Sequence, residues 1–244
     1  MTTITSTQNP HLKTLKRLQT KRERARSGAF LAEGEDLVAA ARAAGRPVLE
    51  GFRVAGGANL DAGVEDFFEV ERSALAAVSS LGSGSRVAAV YRQLWSAPTG
   101  PLCVYLHGVG DPGNVGTILR AAQAFGASCV ALGPRCADPH APKAVRASMG
   151  AIFSVPIARV AGPADLPGER IALVADAPGA LVGDRDGDVT LLVGAEREGL
   201  PEDVVAACER SARIPIASES LNAAMAATVA LYEMTRQASR VPAS

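Results

Sequence analysis

A chain of 244 residues, 48% hydrophobic but only 4% aromatic, has the apolar material for a substantial core and little for a stacking-rich binding surface. Its 25 Lys and Arg balance 25 Asp and Glu, and no run of 18 apolar residues occurs, which argues against a membrane span. The opening residues lack the apolar core of a secretory signal, so a cytoplasmic chain is expected.

In that compartment Cys103, Cys129, Cys136 and Cys208 are expected as free thiols, the first two in the core. None of His11, His107 and His140 has metal-ligand spacing to a cysteine or another histidine, so no metal is expected.

Charge is uneven along the chain. Residues 1–26 hold seven bases (Lys13, Lys16, Arg17, Lys21, Arg22, Arg24, Arg26) against one acid, Glu23, leaving 18 bases and 24 acids elsewhere. From Asn9-Pro10 to Ser27-Gly28, Leu12, Leu15 and Leu18 recur between those bases and predict one basic amphipathic helix. Such a helix is either a polyanion contact, in which each neutralised phosphate releases counterions, or a solvated face. On the first reading Lys13, Lys16, Arg17, Lys21, Arg22 and Arg24 are the candidates for that polyanion contact.

Beyond it the pattern predicts a strand at Phe30–Ala32 and a helix at Glu35–Ala44 stopped by Gly45. Strands follow at Pro47–Val54 and Phe67–Val70, with a loop at Gly56–Gly63 between them. A short helix at Arg72–Val78, a flexible connection at Ser79–Ser85 and a strand at Arg86–Tyr91 complete a small α/β domain over residues 1–95. Residues 96–101, around Ala97-Pro98-Thr99-Gly100-Pro101, read as a linker.

From 102 to 244 the alternation is more regular. Strands are expected at Leu102–Leu106, Ser128–Leu132, Phe153–Ile157, Ile171–Ala175, Val189–Val193 and Arg213–Ile216. Helices are expected at Val115–Phe125, Pro142–Met149, Pro201–Cys208 and Ser220–Gln237. Continuous apolar strands between helices imply a buried, mostly parallel sheet.

Gly108-Val109-Gly110-Asp111-Pro112-Gly113 sits between the first of these strands and its helix and matches the dinucleotide fingerprint letter for letter. The fingerprint works by aiming free N–H groups at a pyrophosphate, and Pro112 has none to aim. The second strand ends in Gly133-Pro134-Arg135, with no acid to hold a ribose, so the loop reads as a decoy for a nicotinamide dinucleotide.

Three further segments carry chemistry. In Asn114-Val115-Gly116-Thr117-Ile118-Leu119-Arg120, Asn114 is placed to cap a helix that holds Arg120. Val193-Gly194-Ala195-Glu196-Arg197-Glu198-Gly199-Leu200 closes a buried strand with a glycine-rich, acidic turn, of the kind that lets backbone approach a ligand. Ile214-Pro215-Ile216 leads through Ala217-Ser218-Glu219 into Ser220-Leu221-Asn222 and an Ala-rich helix. Read residue by residue, Asn114, Glu196, Ser220 and Asn222 are equally good as caps and turn formers.

Taken together and in this order, the three segments resemble the signature motifs of the SpoU/TrmH family of RNA ribose 2′-O-methyltransferases, in the SPOUT class. The matched residues are Asn114, Gly116, Ile118 and Arg120; Gly194, Glu196, Gly199 and Leu200; and Ile214, Pro215, Ser220, Leu221, Asn222 and Ala226. Ile4-Thr5-Ser6, Asn9-Pro10 and Phe30-Leu31-Ala32-Glu33-Gly34 resemble that family's RNA substrate-binding domain.

The resemblance implies a carboxyl-terminal parallel-sheet α/β trefoil knot over 102–244, preceded by a small α/β RNA-binding domain, and a homodimer with its active site near the subunit interface. It implies S-adenosylmethionine held by Gly194, Gly199, Leu200, Ile214, Leu221 and Ala226. Arg120, Asn114, Glu196, Ser220 and Asn222 are the implied catalytic set. A guanidinium stays protonated, so Arg120 is expected to orient the RNA and stabilise a developing alkoxide rather than take a proton. The turn at Ala217–Glu219 is two residues shorter than in many relatives, and Ala224 stands where a second serine is common. The expected substrate is structured RNA, 23S rRNA before tRNA. The alternatives are an RNA-binding protein of the same fold without methyl transfer, or a nicotinamide-dinucleotide enzyme.

Overall fold

The computed structural model describes residues 3–56, 67–81, 84–183, 186–218 and 220–236. The expected loop at Gly56–Gly63, the Ser79–Ser85 connection, Glu219 and Gln237 fall wholly or partly outside those residues. The chain forms two compact units: residues 1–93 with 138–154, and residues 94–137 with 155–244.

In the first unit the expected single basic helix is two. Asn9 caps α1 (Pro10–Leu18), and Thr20, in extended conformation, starts α2 (Lys21–Ser27) by accepting from Glu23 N at 3.3 Å. The division follows from Arg24. Its guanidinium donates to the carbonyls of Leu18 at 2.9 Å and Gln19 at 2.8 Å, ending α1, and to Asp138 Oδ2 at 2.8 Å. Arg24 is 3% exposed, which removes it from the candidates for RNA contact. Lys13, Lys16, Arg17, Lys21 and Arg22 remain exposed.

After Gly28 (φ 62) come β1 (Ala29–Glu33), α3 (Glu35–Ala43), β2 (Glu50–Val54), β3 (Phe68–Val70), α4 (Arg72–Ala76) and β4 (Val87–Arg92). The sheet order is β1-β4-β2-β3, antiparallel except for β2–β3. Leu12, Leu15 and Leu18 are at most 1% exposed and pack with Phe52, Val70 and Leu75. Thus α1 buries its leucine stripe and turns its bases outward. Residues 138–154 join this unit through rings: Phe153 stacks on Phe30 at 5.8 Å and meets Tyr91 edge-on at 4.8 Å.

The second unit is built on β5 (Leu102–Leu106), β6 (Cys129–Leu132), β7 (Ile157–Arg159), β8 (Glu169–Leu173), β9 (Val189–Val193) and β10 (Arg210–Ala212). All are parallel, in the order β10-β8-β9-β5-β6-β7. Every residue of the central strands β5 and β9 is buried, as a parallel sheet covered on both faces requires. Cys103 and Cys129 are opposite one another in β5 and β6, buried and free.

Two strands lie away from their expected places. Phe153 ends a 3-10 turn and β7 starts only after Pro156; β10 ends at Ala212, before Ile214-Pro215-Ile216. Proline has no N–H for the ladder, which fits the start of β7 after Pro156; after Ala212 the chain instead leaves β8, and Arg213 bridges to Ala180. The helices of this unit are α5 (Pro112–Ala124), α7 (Glu202–Ala206) and α8 (Ala223–Thr235), while α6 (Pro142–Ala147) lies in the first unit. Among the described residues no helix is long and apolar enough to cross a membrane.

Candidate functional site

In a parallel sheet, ligand crevices form beyond the carboxyl ends of strands, where loops to the helices diverge. The second unit has such a cleft, about 150 Å³, at the ends of β8, β9 and β10. Leu173, Val174 and Ala175 leave β8, Val193 to Glu196 leave β9, and Ile214, Ile216, Ser220 and Leu221 follow β10; Ala226 of α8 closes it. Of the expected cofactor residues, Gly194, Gly199, Ile214, Leu221 and Ala226 therefore meet in one place.

Leu200 does not line the cleft. It packs against the cluster of Cys103, Tyr105 and Leu192, because its neighbour Gly199 turns the backbone with φ +66 and sends the next side chain into the sheet. That turn is tight. Ala195 and Gly199 exchange backbone hydrogen bonds of 3.2 and 2.9 Å, and a Cβ on Gly194 would stand 2.2 Å from the Gly199 carbonyl carbon. Glycine at 194 is thus required by the loop itself, whatever the loop holds.

Three expected polar residues form one hydrogen-bonded chain across three loops. Asn222 caps α8, its Oδ1 accepting from Ala224 N at 2.9 Å and Met225 N at 3.3 Å. Its Nδ2 donates to Asn114 Oδ1 at 3.2 Å, and Asn114 Nδ2 donates to Glu196 Oε1. Each amide orientation is set by the next, so the α8 amides at one end and the Glu196 carboxylate at the other determine the whole arrangement. Glu196 is the only one of the three able to carry charge. Ser220 stands on the rim of the same cleft as Glu196.

Asn114 does not cap α5 as expected. Asp111 does, accepting from Asn114 N at 3.0 Å with Pro112 at the first helical position. This frees the Asn114 side chain for the chain just described. It also puts a carboxylate on the helix N-terminus where a dinucleotide reading of Gly108–Gly113 needs a pyrophosphate.

Arg120 is not brought to Glu196 or Asn222 by any contact. It is exposed on α5, one turn beyond Thr117, and makes no hydrogen bond or ion pair among the described residues. Val174, Ala175 and Ile216 line the cleft without any polar or glycine signal that would have marked them. Behind the site Tyr105 Oη lies 3.0 Å from His107 Nδ1; burial pushes Tyr105 up to about 12 and His107 down. Among the described residues no group of three or more His, Cys, Asp or Glu could hold a metal.

Two family models match the chain. Residues 101–232 match the SpoU rRNA Methylase family, and residues 9–89 match the MRM3-like substrate binding domain. A 23S rRNA (uridine(2479)-2′-O)-methyltransferase of Streptomyces viridochromogenes is 39% identical over 52% of this chain and 50% of its own length. The 23S rRNA (guanosine(2553)-2′-O)-methyltransferase RlmP of Bacillus subtilis is 29% identical over 96% of this chain and 99% of its own. The crystal structure of the SpoU methyltransferase AviRb of Streptomyces viridochromogenes with AdoMet superimposes with a TM-score of 0.83, at 27% identity, over 95% of this chain and 98% of that one.

Proposed function

The chain belongs to the SpoU rRNA Methylase family, and from that premise we propose that it moves a methyl group from S-adenosylmethionine to a ribose 2′-hydroxyl of structured RNA. The observation that carries this reading is the Asn222–Asn114–Glu196 chain, whose Glu196 end lines an apolar cleft at the carboxyl ends of the strands. The residues present fit the cofactor. Ile214, Ile216 and Leu221 suit an adenine and a thioether chain, and backbone at Gly194 and Gly199 together with Ser220 and Glu196 suits its polar groups.

Because the sulfonium already activates the methyl group, the protein's tasks are alignment and help with one proton. Glu196 accepts the hydrogen bond of the 2′-hydroxyl, and Asn114 and Asn222 hold that carboxylate in place. Arg120 orients the RNA and stabilises the developing alkoxide, since its guanidinium cannot serve as a base. Its exposure is in keeping with a site completed at a subunit interface. Met225, Val229 and Tyr232 leave an apolar stripe exposed on α8, which supports a homodimer. A trefoil knot formed by the loops after β9 and β10 and a cytoplasmic location complete the reading.

Ribosomal RNA is preferred to transfer RNA as substrate. Support comes from the two 23S rRNA methyltransferases among the relatives and from the match of the first unit to a substrate-binding domain. The separation of Arg120 from the hydrogen-bonded chain is the one observation that favours a non-catalytic RNA-binding protein. Calorimetry of the full chain with S-adenosylmethionine separates the two, and is expected to show binding. Mapping 2′-O-methylation of total RNA with and without the gene is expected to show a single site lost. No cofactor binding, or an unchanged map, overturns the proposal.

On α1, Lys13, Lys16 and Arg17 occupy one exposed face at helical spacing. Changing all three to glutamine is expected to weaken rRNA binding and flatten the plot of log affinity against log salt by roughly 0.7–0.9 for each phosphate no longer neutralised. Cofactor affinity should not move. An unchanged salt slope would return these residues to a merely solvated face.

A further inference from the structure

Arg135, which the roles above leave unused, is one of two non-glycine residues with positive φ among those described (φ 61). That conformation is unfavourable for an L residue and persists only where its surroundings hold it. Here three hydrogen bonds do so. Gly108 N donates to Pro134 O at 3.0 Å, Ala137 N to Val109 O at 2.9 Å, and Cys136 Sγ to Leu106 O at 3.1 Å. Gly133 must be glycine for the same packing, because a Cβ there would lie 2.2 Å from the Tyr105 hydroxyl.

The strained loop delivers a guanidinium to a second cleft, which shares Ala195 and Glu196 with the first and includes Asn114. Arg135 and Arg197 are the cations lining that cleft among the described residues, facing Asp111, Glu196 and Glu198. A phosphate entering there meets three carboxylates, so its acceptance depends on those two arginines. Arg135 is already aimed: its Nη1 lies 3.4 Å from Glu198 Oε2, both side chains being more than half exposed (62% and 71%). An exposed pair of that kind contributes little and is readily exchanged.

We propose that Arg135 binds the RNA: its fork leaves Glu198 for a phosphate beside the target nucleotide and so holds the RNA at the cleft that Glu196 also lines. The inference rests on the methyl-transfer reading above and adds a phosphate subsite to it. A guanidinium matches a phosphate through two parallel N–H donors, which a lysine ammonium cannot reproduce.

The test uses the full chain and large-subunit rRNA purified from cells lacking the gene. Arg135→Gln is expected to raise KM for that rRNA about tenfold with kcat within about twofold, and to lower the salt slope of binding by about 0.7–0.9, the share of one phosphate. Arg135→Lys should restore the slope but only part of KM. Glu198→Gln, which removes the competing carboxylate, should leave KM equal or lower, and Arg135→Gly, which relieves the strain, should lose affinity without losing thermal stability.

An Arg135→Gln variant with unchanged KM and slope overturns the proposal, as does a loss of affinity that tracks a fall in Tm. Failure of the broader reading looks different. The wild-type chain would then transfer no methyl group, and the salt slope of the variants would still decide whether Arg135 holds a phosphate.

Discussion

Replacing Arg120 with alanine is expected to lower kcat for methyl transfer by roughly 100- to 1000-fold, the usual cost of removing one preorganised donor from a developing oxyanion. Affinity for S-adenosylmethionine and thermal stability should be unchanged. The second expectation is what makes the first informative. Arg120 is exposed and makes no hydrogen bond or ion pair among the described residues, so its truncation leaves no buried partner unpaired. Surface changes of that type stay within about 0.5 kcal/mol. Arg120→Lys keeps the charge and loses the planar fork, and is expected to recover only a small part of the lost rate. Near-normal turnover in the lysine variant would show that charge alone suffices. Full activity in the alanine variant would return Arg120 to an ordinary solvated helix residue.

The second large effect is on stability. Breaking the Arg24–Asp138 pair from either side, with Arg24→Gln or Asp138→Asn, is expected to destabilise the unit that holds both residues by about 3–5 kcal/mol in urea unfolding. The side chains are 4% and 10% exposed, so the surviving partner would be buried without its counter-charge. Removing the arginine also leaves the Leu18 and Gln19 carbonyls at the end of α1 without their donor.

The pair should also be visible in the pH dependence. Burial alone would raise the Asp138 carboxyl, but hydrogen bonds from His140 and Arg24 hold it well below its ordinary value of 3.8. A carboxyl lowered by folding contributes stability that is fully present above its unfolded value. It is lost as pH falls below about 4 and on through the folded value, where the unfolded chain binds the proton first. Wild-type stability is therefore expected to fall more steeply below pH 4 than that of Asp138→Asn. Equal acid slopes in the two proteins would remove Asp138 from this role.

Several elements were legible in residue order alone. The leucine spacing of Leu12, Leu15 and Leu18 marked a buried stripe, and all three are at most 1% exposed. The apolar runs at Leu102–Leu106 and Val189–Val193 marked central parallel strands, and these have the expected bounds. Gly194, Gly199, Ile214, Leu221 and Ala226, which the family resemblance singled out from two segments, line one cleft.

Other features depend on partners far away in the chain. Arg24 looks like one base among seven, and only its pairing with a carboxylate 114 residues later makes it a structural residue instead of a surface one. Both Asp111 and Asn114 are competent caps for α5; the one that caps is decided by Glu196 and Asn222, which engage the other's side chain. Leu200 was indistinguishable from its cleft-lining neighbours until the turn at Gly199 aimed it at Cys103 and Tyr105.

By itself, then, the sequence determined the central strands, the buried helix stripe and the chemical types available at the site, but not the break between α1 and α2 or the bounds of β7 and β10. Tertiary structure decided which of the polar groups meet, which charges are buried and which remain exposed. The physical reason is that periodicity and capping act over a few residues, whereas desolvation and hydrogen-bond pairing depend on what packs alongside.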